Sequence, residues 1–124
     1  MQEFTSTIIN LSNLKDFSRG KNDFLVKMLK LLIDQTPPAI QQIKVAIPNN
    51  NWEIVRTLTH KIKPNIGLLG NSELDTLILL LETNADEKKE VESLPKIFNN
   101  INVLFGPALV ELKRAHLFYS SIIT

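Results

Sequence analysis

The chain has 124 residues and no cysteine, which gives room for one hydrophobic core and excludes disulfides, thiolate metal sites and cysteine nucleophiles. It is 44% hydrophobic and 22% charged with a formal net charge of +1, a globular balance that supplies no strongly basic face and predicts no nucleic-acid partner. The start, Met1-Gln2-Glu3-Phe4-Thr5, lacks a signal-peptide pattern, and the longest apolar run, Leu77–Leu81, is far too short to span a membrane, so a soluble, cytoplasmic domain is expected.

Helical periodicity runs through almost the whole sequence, with glycines at breaks rather than in hairpin turns. The first predicted helix is short, near Asn10–Phe17, and Ser18-Arg19-Gly20 ends it with glycine where a left-handed cap is wanted. A second begins at Asn22, where Phe24, Leu25, Met28, Leu29, Leu32 and Ile33 recur at helical spacing. Thr36-Pro37-Pro38 interrupts it, because each proline lacks a donor. The period resumes in Ala39-Ile40-Gln41-Gln42-Ile43. One long, kinked helix to about Ile47 is therefore expected, followed by a turn over Pro48–Asn51.

The third predicted helix covers about Trp52–Leu69. Gly70-Asn71-Ser72 breaks the chain, and Ser72 is the expected N-cap of a fourth helix that carries Leu74, Leu77, Ile78, Leu80 and Leu81 to about Thr83. Asn84-Ala85-Asp86 reads as the next turn, and Glu87-Lys88-Lys89-Glu90 as the charged start of a long last helix. Pro95 lies near its beginning, and Gly106-Pro107 is expected to kink it. Short connections favour antiparallel neighbours, so the predicted fold is all-α: an up-and-down antiparallel four-helix bundle with an additional short N-terminal helix, forming a single domain over 1–124.

At 100° per residue the core stripe of the third helix is Val55, Leu58, Ile62, Ile66 and Leu69. His60 lies about 200° from Leu58 and from Ile62, pointing away from that stripe. Arg56, Lys63, Pro64 and Gly67 share its face at one- and two-turn spacing. A neutral imidazole is a nucleophile at physiological pH, and a phosphoryl group on it would be steadied by the flanking cations. The same pattern also describes a surface histidine among solvated charges, and geometry alone leaves both open. His116, near Lys113 and Arg114, reads as structural or solvated. Two histidines without an HExxH-type spacing supply no metal site. No glycine-rich ATP loop is present, so no autokinase activity and no cofactor are expected.

His60-Lys61-Ile62-Lys63, with Gly70 ten residues after the histidine, resembles the signature of histidine-containing phosphotransfer (HPt) domains. Phe24-Leu25 and the Pro37-Pro38 interruption are similar in position as well, so the likeness covers roughly Leu11 to His116. The resemblance implies a two-component phosphorelay intermediate without catalytic activity of its own. His60 would accept a phosphoryl group through Nε2, Lys63 would stabilise it, and Gly67 and Gly70 would keep the helix-hairpin end slim. Glu82, twenty-two residues after the histidine, would bond Nδ1. The implied partners are response-regulator receiver domains, which supply the aspartate and the Mg2+, and a hybrid histidine kinase; a monomer is expected. Leu11 and Leu14, on the exposed half of the first helix, join Arg56, Pro64 and Gly67 as expected docking residues. Pro64 departs from the family, which usually has glycine there. It should kink the helix, or admit a water, at the carbonyl of His60. The alternative is a helical module that binds a receiver or kinase without being phosphorylated.

Overall fold

The computed structural model describes residues 3–123. Five α-helices follow one another: α1 (Ser12–Ser18), α2 (Asn22–Ala46), α3 (Trp52–Gly67), α4 (Ser72–Glu87) and α5 (Leu94–Ile122). A single turn of 3-10 helix, Val91–Ser93, leads into α5. Packing contacts join α2 to α3, α3 to α4, α4 to α5 and α5 back to α2, while α1 lies on α2. The short turns between successive helices reverse the chain each time, which gives the up-and-down bundle expected from the pattern.

The core is aliphatic. Leu25, Leu29, Ile43, Val55, Ile62, Ile66, Leu74, Ile78, Leu81, Leu94, Ile101 and Leu112 are each at most 2% exposed. Burying such a side chain contributes about 1.5–3 kcal/mol relative to leaving it in water. Because α3 presents Val55, Ile62 and Ile66 to this core, its opposite face must point outward.

The helix limits differ from expectation at several points, each with a local cause. Asn10 stays outside α1, with its main-chain N–H donating to the Leu69 carbonyl at 2.8 Å. Its side-chain oxygen accepts from the N–H of Ser12 at 2.9 Å. α4 is capped by Asn71 rather than Ser72: Asn71 Oδ1 accepts from the Leu74 N–H at 3.1 Å, and Nδ2 donates to the Ile8 carbonyl at 3.0 Å. α4 also continues past Thr83 to Glu87, because Asn84 and Ala85 are buried at 5% and 2% exposure and belong to its inner face. The reversal comes later, through left-handed Lys88 and Glu90, and α5 starts at Leu94 with Pro95 in its first turn, where no donor is missed. α2, α3 and α5 run on through Pro37-Pro38, Pro64 and Pro107 as single helices.

An N-terminal segment fastens the bundle. Phe4 packs against Phe118 and Tyr119, each with ring centroids 6.3 Å away. The Arg114 guanidinium lies over the Phe4 ring at 4.4 Å and donates to the Thr5 carbonyl. Gly70, at φ +65°, sits against Asn10 so closely that any Cβ there would overlap its backbone. This close approach explains the glycine at the α3–α4 turn.

Candidate functional site

His60 stands on the outer face of α3 with its side chain 68% exposed. Its Nδ1 lies 3.3 Å from Oε2 of Glu82, on α4. A carboxylate only accepts, so the bond requires the proton on Nδ1 and, in the neutral ring, leaves the lone pair on Nε2 of this exposed side chain. Oε1 of the same carboxylate accepts from Lys63 Nζ at 3.0 Å. Glu82 is itself only 16% exposed, so its carboxylate is held in place while His60 is not covered.

Arg56, one turn before His60, turns along the α3–α4 seam, with Nε 3.6 Å from Asp86 Oδ1. Both cations flanking the histidine are therefore tied to acids on α4. The exposed Arg56–Asp86 pair contributes about 0–1 kcal/mol; the value of both pairs here is in orientation. His60 and Lys63 on α3 and Glu82 on α4 come from two helices joined by a tight turn, and the structure brings together the three side chains that the sequence reading grouped.

Pro64 is exposed one turn beyond His60, and Gly67 follows on the same face with nothing within 4 Å of where its Cβ would be. The two form a low shelf beside the imidazole. α3 does not break at Pro64, but continues to Gly67.

The expected exposure of Leu11 and Leu14 is not found. They are 5% and 0% exposed, because α1 lies with this face against α2 and into the core. The exposed apolar side chain of α1 is Phe17, whose ring stacks on Phe24 of α2 at 6.3 Å. Two side chains near the histidine escaped the sequence reading. Asp86, assigned to a turn, is helical and receives Arg56. Leu79 is 53% exposed on α4, one turn before Glu82; its spacing from Glu82 was the available signal. Among the described residues no group of three or more potential ligands could hold a metal ion, and no helix is long and apolar enough to cross a membrane.

No family model matches the sequence, and no curated protein matches it. Among solved structures it is similar to the crystal structure of the HPT domain from the Hpt sensor hybrid histidine kinase of Shewanella. The two share 19% sequence identity at a TM-score of 0.65, over 94% of this chain and 93% of that one. The chain therefore has the fold of a histidine phosphotransfer domain.

Proposed function

We propose that this chain is a phosphorelay carrier that takes a phosphoryl group onto His60 from the aspartyl phosphate of a receiver domain and passes it to a second receiver aspartate. The observation that carries the reading is a solvent-facing Nε2 on an imidazole whose Nδ1 is held by Glu82, within an HPt fold. The lone pair of Nε2 attacks phosphorus in line, the N–P bond forms, the acyl P–O bond breaks, and the aspartate leaves as a carboxylate. The proton on Nδ1 stays in place, and the Glu82 carboxylate it is bonded to offsets the positive charge that the ring acquires. Lys63, one turn along the helix, is close enough to move from Glu82 toward the new phosphoryl oxygens. The reverse attack by a receiver aspartate empties the site. The receiver supplies the Mg2+ that offsets charge on the phosphoryl group during transfer. On this reading the chain acts as a phosphoryl carrier rather than a kinase.

On this reading the chain works as a cytoplasmic monomer, and its partners are receiver domains, including one belonging to a hybrid histidine kinase. The test is transfer from labelled phospho-receivers in the presence of Mg2+, with His60→Gln as control. Acid-labile, base-stable label on the wild type and none on the variant is the expected result. Receivers that bind but never label His60 would replace the carrier reading with that of a docking module.

A further inference from the structure

The bridges Arg56–Asp86 and His60/Lys63–Glu82 fix an antiparallel register between α3 and α4. Moving one turn from Glu82 toward the start of α4 reaches Leu79, level with Lys63 and Pro64. One further turn reaches Asp75, level with Gly67. Leu79 is 53% exposed although it is a leucine on a helix whose inner face is otherwise well buried. Across the seam from it lies the shelf of Pro64 and Gly67, open above the missing Cβ.

Charge is arranged along the same edge. α4 carries Glu73, Asp75, Glu82, Asp86 and Glu87 and no basic residue. Glu82 and Asp86 are occupied by cations from α3, whereas Asp75 forms no ion pair with any described residue. Desolvation raises the Asp75 carboxyl pKa, a cost that a partner's cation would relieve. On α1, by contrast, Leu11 and Leu14 are withdrawn into the core, and the exposed Phe17 is stacked on Phe24 of α2.

We infer that the receiver docks across the α3–α4 seam, with Leu79 and the Pro64–Gly67 shelf taking an apolar side chain of the receiver and Asp75 taking a lysine or arginine beside it. This rests on the phosphocarrier reading and adds to it the surface that selects the partner. An apolar contact next to the reacting imidazole excludes water from the transfer, and the charge pair at its rim sets orientation and partner choice. The occupant is assigned by charge complementarity: α4 offers an unneutralised acid, so the matching surface is basic at that point.

The experiment compares Leu79→Ser, Asp75→Lys and, as a control away from the α3–α4 seam, Val103→Ser of α5, which is also exposed. Each variant is labelled by two routes: potassium phosphoramidate, which needs no docking, and a panel of purified phospho-receiver domains with Mg2+. The readout is the ratio of receiver-driven to phosphoramidate-driven label on His60. Leu79→Ser and Asp75→Lys should lower the ratio about tenfold or more, the scale of losing one central contact, while Val103→Ser leaves it unchanged. For a receiver with a basic residue at the matching position, reversing that residue to glutamate should restore transfer to Asp75→Lys. Ratios within twofold of wild type for both seam variants overturn the docking assignment and leave the carrier reading standing. A wild-type chain that phosphoramidate labels but no receiver does overturns both. A wild-type dimer that Leu79→Ser converts to monomer assigns the face to a second copy instead.

Discussion

Replacing Glu82 with alanine removes two contacts at once, because its oxygens serve His60 Nδ1 at 3.3 Å and Lys63 Nζ at 3.0 Å. The imidazole would then rotate and sample both tautomers, so that Nε2 is bare only part of the time. Phosphotransfer to the variant should slow by ~10- to ~100-fold, the range expected when a reacting group loses its alignment. Nitrogen NMR of the imidazole would show the Nδ1–H tautomer giving way to a mixture. An unchanged rate with an unchanged tautomer would remove Glu82 from its orienting role. The grouping of His60, Lys63 and Glu82 was legible in the sequence, the first two from the helical period and the third from the family resemblance. The burial of Leu11 and Leu14 was not. The seven-residue α1 has only Leu14 and Phe17 as apolar side chains, close together on one side, and only packing decides which of them turns inward.

At the scale of elements, α3 is the informative case. Pro64 lies inside it, and the helix continues for three residues to Gly67. A proline there withholds a donor from the His60 carbonyl and crowds it, at a cost of up to about 3 kcal/mol in an isolated helix. Pro64→Ala should therefore stabilise the domain by about 1–3 kcal/mol, read as a higher urea midpoint with an unchanged slope. A lower midpoint would mean that the ring's own contacts outweigh the missing bond. The limits of α4 show where local pattern fails. Asn84-Ala85-Asp86 has turn composition, yet the core accepts Asn84 and Ala85 on the helix's inner face. Packing of that face outweighs the weak helix propensity of asparagine. The cap moved for a similar reason. Asn71 and Ser72 both suit the position, and the additional bond from Asn71 to the Ile8 carbonyl favours the asparagine. That bond joins segments far apart in sequence, which no local pattern reveals.

For the whole molecule, one ion pair helps to hold the N-terminal segment in place. Arg114 holds the Thr5 carbonyl and the Phe4 ring while itself bonded to Glu111 at 2.9 and 3.1 Å. The guanidinium, and a hydrogen bond from Ser6, lower the Glu111 carboxyl from 4.5 to about 2. A carboxyl lowered in the folded state contributes fully at neutral pH and loses its contribution as pH falls from about 4.5 through about 2. The melting temperature of Glu111→Gln should thus lie below that of wild type at pH 7, and the gap should close by pH 2. A gap that is constant with pH would show that the carboxylate's charge does not contribute.

The contact between Arg114 and Thr5 spans 109 positions, and it bears on how the chain folds as it is made. Phe4 leaves the ribosome ahead of all five helices but finds Phe118, Tyr119 and Arg114 only when the end of α5 has emerged. Until then its ring and the buried Ile9 have no finished surface to cover them. The α3–α4 hairpin that carries His60 can pair before α5 is made, whereas the closing clasp must wait until the end of α5 has emerged. A nascent chain halted before α5 would therefore hold the histidine face in outline, yet leave the apolar segment around Phe4 uncovered.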